Sequence, residues 1–197
     1  MDKPFSQACV NNRTPIFAVL KPLLANKTSV LEIGSGTGQH AVWFAPQLPH
    51  LRWQTSDLLE NHRGIMQWLE QFPSENLSAP IALDMVEGNW PEAVYDGIYS
   101  ANTAHIMPWE GVVNMVANAG AHLLPGGVFC LYGPMQYSGV IEPQSNVDFD
   151  AQLRQRSSRM GIREFHDING LALDASLILL DDHAMPANNR LLVWQKA

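Results

Sequence analysis

The chain has 197 residues, 46% of them hydrophobic, and a formal net charge of −7. That length suits one domain with a substantial core, and the composition excludes an intrinsically disordered chain. An acidic balance argues against a nucleic-acid partner, which needs a basic patch to displace counterions, and two cysteines, Cys9 and Cys130, cannot build a disulfide framework.

The N-terminus, Met1-Asp2-Lys3-Pro4-Phe5-Ser6, lacks the apolar core of a signal peptide, and no apolar run is long enough to span a bilayer. A cytoplasmic location without membrane association is the expectation. Residues 15–25 open on Pro15, a good first-turn residue, and place Ile16, Val19, Leu20, Leu23 and Leu24 at helical spacing. Val30-Leu31-Glu32-Ile33 reads as a strand entering a glycine-rich loop, and residues 39–47 as the helix that leaves it. A second strand over 51–55 ends at Ser56-Asp57, and a helix over 60–71 follows. Ile81-Ala82-Leu83 is a third strand ending at Asp84, and residues 97–100 a fourth ending near Asn102. A helix over 109–123 is closed by a turn at Pro125-Gly126-Gly127, before a fifth strand over 128–132 that buries Cys130. A loop to about Asn146 precedes helices over 147–160 and 164–175. The runs 177–180 and 191–194 then form a terminal antiparallel hairpin. Short apolar runs alternating with helices predict a parallel α/β sheet in a single domain over 1–197.

A strand, a glycine loop and a helix make a nucleotide-binding design, because glycines let the backbone approach a ligand. Gly34, Gly36 and Gly38 alternate, with Gln39 where a dinucleotide fingerprint has its last glycine, and Gln39-His40 where a P-loop has Lys-Ser or Lys-Thr. Glu32, before the first glycine, would repel a pyrophosphate and attract a cation. S-adenosylmethionine, with its sulfonium and ammonium, fits that sign. Asp57 stands where a carboxylate accepts ribose hydroxyls, Asp84 is placed for an adenine amino group, and Met85 for the ring face. Ser35 in the loop and Leu58 after Asp57 complete the expected cofactor contacts.

The run Val30-Leu31-Glu32-Ile33-Gly34-Ser35-Gly36-Thr37-Gly38-Gln39-His40 resembles the first motif of class I S-adenosylmethionine-dependent methyltransferases. More narrowly, Trp53-Gln54-x-Ser56-Asp57, Ser100-Ala101-Asn102-x-x-His105-Ile106-x-Pro108-Trp109, Leu131-Tyr132-Gly133-Pro134 and Met185-Pro186-Ala187-Asn188-Asn189 are similar to a family of small methyltransferase-like proteins of unassigned function, found in bacteria and animals. The resemblance covers nearly the whole chain. It implies a Rossmann-like, seven-stranded, mostly parallel sheet with the last strand antiparallel and helices on both faces. It also implies S-adenosylmethionine as cofactor, with S-adenosylhomocysteine as product, on Glu32, Gly34, Gly36, Gly38, Asp57, Asp84 and Asn102. One departure stands out: that family shows Glu-Arg-Asn before its first helix, and Val10-Asn11-Asn12 occupies the stretch here, followed by Arg13.

Methyl transfer needs a nucleophile held in line with the methyl group, helped by a base when the nucleophile is protonated. His105 and Tyr132 are the candidate catalytic residues. Asn12, Arg13, Trp109 and Asn146 are candidate substrate contacts, and the segment around Asn12 and Arg13 is a candidate lid. Residues 102–109 do not form the Asn/Asp-Pro-Pro-aromatic motif of methyltransferases acting on bases and glutamine amides. The seven histidines show no short ligand spacing, so no metal site is expected. Arg154, Arg156 and Arg159 read as a solvated helix face, or as a lure for an acidic substrate. The chain is short for a macromolecule-recognition domain, which favours a small-molecule methyl acceptor. Two alternatives carry the same fold: a non-catalytic S-adenosylmethionine-binding regulator or scaffold, and an enzyme using another nucleotide such as NAD.

Overall fold

A computed structural model describes residues 3–197, so Met1 and Asp2 of the N-terminal segment read above lie outside the described residues. The chain runs α1 (Gln7–Leu23), β1 (Ser29–Ile33), α2 (Gln39–Phe44), β2 (Arg52–Asp57), α3 (His62–Gln71), β3 (Leu77–Ala82), β4 (Tyr95–Ala101), α4 (Trp109–His122), β5 (Leu123–Gly133), β6 (Met135–Gln136), α5 (Gln144–Arg156), β7 (Arg163–Glu164), α6 (Phe165–Asp174), β8 (Leu177–Met185) and β9 (Asn189–Lys196). Seven strands form one sheet in the order β3-β2-β1-β4-β5-β9-β8, and β6 pairs with β7 separately. The pairings from β3 through β5 are parallel, whereas β9 runs antiparallel to both β5 and β8. This is the expected Rossmann-like methyltransferase fold. The strand order reverses direction between β1 and β4, and such a switch point opens a crevice at the carboxyl ends of the strands.

Strand alternation sorts side chains onto two cores. Leu31, Ile33, Ile98, Phe129, Leu131 and Trp194 pack on one face beneath α4 and α6. Val30, Trp53, Tyr99, Cys130, Tyr132 and Val193 pack on the other beneath α1 and α2. Cys130 is fully buried there, and burial pushes its thiol up to about 12, which leaves it an inert core residue. Among the described residues, no helix is long and apolar enough to cross a membrane.

Besides a third strand that begins at Leu77 rather than Ile81 and an α5 that ends at Arg156 rather than 160, the structure departs from the sequence expectation at three places. The first helix starts at Gln7, not Pro15: the Ser6 hydroxyl accepts from the Cys9 N–H at 3.4 Å and caps it. Pro15 and Pro22 lie inside the helix, and Ile16, Phe17 and Leu20 hold it by burial. Second, Pro125-Gly126-Gly127 does not end a helix before β5. The strand already pairs at Leu123 opposite Tyr95, and the register shift before Val128 makes these residues a bulge within it. Third, the last two strands are longer than their apolar runs. The pairs Asp182↔Leu192 and His183↔Leu191 extend the hairpin through polar positions of an edge strand.

Candidate functional site

The loop after β1 reaches across the carboxyl end of β2. Ser35 N–H donates to Ser56 O at 2.9 Å, and Gly36 N–H donates to Asp57 Oδ2 at 2.7 Å. Two of its glycines serve different needs. Gly34, at φ +68°, lies so close to the end of β4 that an added Cβ would sit 2.5 Å from Thr103 Cγ2. Gly36, at φ +58°, would meet nothing within 4 Å. Its missing side chain leaves room in the cleft, and Gly36 itself lines the cavity.

That cavity has a volume of about 1190 Å3 and sits at the switch point. It is somewhat larger than the range of about 300–1,000 Å3 typical of small-ligand pockets. Of the expected cofactor contacts, Gly34, Ser35, Gly36, Asp57, Leu58, Asp84, Met85 and Asn102 all line it. Asp57, 7% exposed, is held from several sides: beyond Gly36, its Oδ1 accepts from Leu58 N–H and Asn61 Nδ2, each at 2.7 Å. Asp84 follows β3 and accepts the Val86 N–H at 2.7 Å through Oδ1. Met85 is anchored by the Asn114 amide, which donates to its carbonyl at 3.0 Å.

Glu32 and Gly38 are not part of the wall. Strand parity turns Glu32 away from the cleft, onto the face of Val30, where its Oε2 accepts from Trp53 Nε1 at 3.0 Å and Ser35 Oγ at 3.1 Å. Burial raises its pKa to about 7, against the Trp53 and Ser35 hydrogen bonds that hold it down. Glu32 therefore braces the loop from behind, where the sequence had placed it facing a cation. Gly38 packs on Ile65, whose Cα a Cβ would approach to 3.3 Å.

Beyond β4, Asn102 adopts φ +59° and donates its N–H to Tyr132 O at 2.8 Å. Ser100 Oγ donates to Ile33 O at 2.9 Å and lies 2.6 Å from Thr103 Oγ1, which ties the ends of β1 and β4 together. His105 reaches the cavity wall with its ring edge-on to Phe149, 5.3 Å between centroids. Burial lowers its pKa to about 4, with the Arg163 guanidinium adding to the effect, so the imidazole is neutral near pH 7. Arg163 also clasps the loop that carries His105, donating to Ala104 O at 2.9 Å and Met107 O at 2.6 Å.

A second cavity, of about 390 Å3, adjoins the first and shares Ala8, Asn102 and Phe149 with it. Tyr132, Asn12 and Asn146 line this one. Arg13 and Trp109 line neither: Arg13 lies over Trp43 at 5.2 Å, and Trp109 faces the Arg163 guanidinium at 5.9 Å. Both are occupied as cation–π partners away from the clefts. Arg154 pairs with Asp150 at 2.6 Å, whereas Arg159 lies past the end of α5, pairs with Glu110 and borders the first cavity.

Sequence reasoning missed the contribution of Pro4, Ser6, Ala8 and Cys9 to the first wall. This strap is fastened by Trp68 Nε1 donating to Pro4 O at 2.6 Å and by Ser6 N–H donating to Gln39 Oε1 at 2.6 Å. It lies upstream of the Asn12–Arg13 segment singled out as a lid. Phe149 and Arg163 were missed because neither stands near a glycine loop or a strand end in sequence. Among the described residues, no group of three or more His, Cys, Asp or Glu side chains is placed to hold a metal ion.

The chain belongs to the family described as "Protein of unknown function (DUF938)", whose pattern matches residues 3–196. Its fold is similar to that of an O-methyltransferase family protein from Burkholderia thailandensis, with a TM-score of 0.85 at 16% identity over 96% of this chain and 57% of that one. It is also similar to an O-methyltransferase family 2 protein from Planctomyces limnophilus in complex with apigenin, with a TM-score of 0.75 at 20% identity over 86% and 51% of the two chains. Human N-acetylserotonin methyltransferase in complex with SAM gives a TM-score of 0.74 at 14% identity, over 92% and 53%. The chain thus spans about half the length of these solved structures, and at such identities the likeness is one of fold.

Proposed function

We propose that this protein binds S-adenosylmethionine in the larger cavity and transfers its methyl group to a small-molecule acceptor, releasing S-adenosylhomocysteine. The observation that carries the reading is the convergence of Gly36, Asp57, Asp84 and Met85 on one cavity at the switch point. The residues fit the group. Gly36 leaves space where a side chain would stand, and Asp57 Oδ2, which accepts one internal bond against the two at Oδ1, keeps a lone-pair direction free for a ribose hydroxyl. Asp84 supplies an acceptor for an exocyclic amine, and the Met85 side chain an apolar surface for a ring.

When bound, the cofactor supplies a methyl carbon activated by its bond to a positively charged sulfur. An acceptor lone pair would displace the sulfur from that carbon, the electrons of the carbon–sulfur bond staying on sulfur and the acceptor's proton leaving. The chain's own part is to hold the acceptor in line and keep water away. His105 is neutral and stands edge-on to Phe149, whose ring borders both cavities, so its lone pair would take or orient the departing proton at the junction between them.

Calorimetry with S-adenosylhomocysteine tests the binding half, and transfer of label from methyl-labelled S-adenosylmethionine into a metabolite extract tests the catalytic half. Saturable binding together with a labelled product is expected. Absence of binding at millimolar ligand removes the cofactor assignment. Tight binding without any labelled species removes the transferase assignment and leaves a non-catalytic binding module.

A further inference from the structure

The smaller cavity has an unusual lining. Six of its residues are asparagines, accompanied by Tyr132, Ser145 and the apolar Phe149 and Pro134, and no charged side chain faces it. Its wall is also where backbone strain collects. Of the five non-glycine residues with positive φ among the described residues, Asn102, Ala187 and Asn188 all border it. Left-handed backbone at non-glycine residues costs energy and persists where the surroundings enforce it, typically at binding sites.

The polar groups are also oriented. His40 is buried, and burial lowers its pKa to about 4, so it is neutral. Its Nε2 lies 2.7 Å from Asn12 Oδ1, and its Nδ1 lies 3.2 Å from Tyr99 Oη. A neutral imidazole has one donor and one acceptor, so Nε2 carries the proton and donates to Asn12, while Nδ1 accepts from Tyr99. The Asn12 carbonyl oxygen is thereby used, and its amide N–H groups are directed toward Tyr132. Burial raises the Tyr132 pKa, partly offset by hydrogen bonds from Asn12 and Asn189, so the phenol stays protonated. Opposite, Asn146 Nδ2 is committed to Glu142 O at 3.1 Å and Asn188 O at 3.2 Å, so the group Asn146 offers the cavity is its carbonyl oxygen. The wall therefore presents a fixed mixture of donors and acceptors with no counter-charge.

We infer that this cavity is the acceptor subsite, and that it takes an uncharged molecule which both donates and accepts hydrogen bonds. A carboxylate, phosphate or ammonium group would lose its hydration there without an opposite charge to replace it. The neutral lining selects against such acceptors, and the shared wall at Asn102 and Phe149 joins this space to the larger cleft. His40 and Asn12 are positioning residues in this arrangement. The assignment as acceptor site rests on the methyltransferase reading above; the preference for an uncharged ligand does not.

The test uses three probes of one shape: benzamide, benzoate and benzylamine. Their binding is measured by ligand-observed NMR, with and without saturating S-adenosylhomocysteine. Benzamide is expected to bind at least about tenfold more tightly than either charged probe. Asn146→Leu and Asn188→Gly are expected to weaken benzamide by about the same factor, with S-adenosylhomocysteine affinity unchanged within about twofold. Asn188→Gly relieves the positive φ, so a loss of probe binding in that variant is not a failure to fold. Equal binding of a charged probe, no benzamide binding, or benzamide binding untouched by both variants overturns the inference. Selective benzamide binding to a protein that ignores S-adenosylhomocysteine supports the neutral subsite and overturns the cofactor reading instead.

Discussion

The two glycines at the heart of the loop make opposite predictions for one and the same substitution. An alanine at either position adds a Cβ to left-handed backbone, at φ +68° for Gly34 and +58° for Gly36, which costs about 1–2 kcal/mol. At Gly36 that is the whole cost to folding, because a Cβ there meets nothing within 4 Å. At Gly34 the new methyl would stand 2.5 Å from Thr103 Cγ2. Thr103 cannot simply rotate away, because it is buried and its hydroxyl is 2.6 Å from Ser100 Oγ. Overpacking of this kind adds about 1–3 kcal/mol, for a total of about 2–5 kcal/mol at Gly34. Binding reverses the order: the Gly36 methyl projects into the cavity, where it displaces cofactor atoms and weakens S-adenosylhomocysteine by at least about tenfold. Urea denaturation and calorimetry on Gly34→Ala and Gly36→Ala measure both quantities. The reasoning fails if Gly36→Ala destabilises the fold more than Gly34→Ala, or if it binds S-adenosylhomocysteine as the unmodified protein does.

Asp57→Asn keeps one acceptor oxygen but sets an amide against at least one of the three donors that Asp57 satisfies, at Gly36, Leu58 and Asn61. An unsatisfied group of this sort costs about 1–3 kcal/mol, and S-adenosylhomocysteine affinity should fall about tenfold or more; calorimetry showing no change would refute the role of Asp57. Stability should also depend on pH. His40 and His105 are lowered from 6.5 to about 4, so between those values the unfolded chain binds more protons, and stability is complete above 6.5 and lost as pH falls. Glu32 is raised from 4.5 to about 7, so the folded chain binds its extra proton and stability declines as pH rises through that window. Between 4.5 and 6.5 the two histidines outweigh the one glutamate by one proton, a net gain of about 2–3 kcal/mol with rising pH. Glu32→Gln should steepen that rise and remove the decline toward pH 7, as read by denaturation across pH; an unaltered profile would show that Glu32 does not titrate in this range.

Much of the fold was legible because its signals are local. The apolar run Val30–Ile33, the glycines after it and Gln39-His40 declare strand, turn and helix within a dozen positions, and Asp57 and Asp84 stand at or just past the carboxyl ends of strands. The early start of α1 was not legible, because a weak serine cap and two internal prolines read as a late helix, while burial of Ile16, Phe17 and Leu20 against the sheet decided otherwise. For Glu32, the sequence supplied a carboxylate beside a cation-sized loop, but strand parity sent it to the opposite face, against Trp53.

What the sequence determined by itself is the glycine loop, the order of strands and helices, and the carboxylates at strand ends, since each depends on residues a few positions apart. The second cavity was beyond its reach. That space is assembled from the first helix, the ends of β4 and β5, α5 and the β8–β9 turn, bringing Asn12, Asn102, Tyr132, Asn146 and Asn188 together. Nothing in their spacing marks them as neighbours. Only insertion of an antiparallel last strand between β5 and β8 carries the turn before β9 back to the carboxyl ends of the parallel strands.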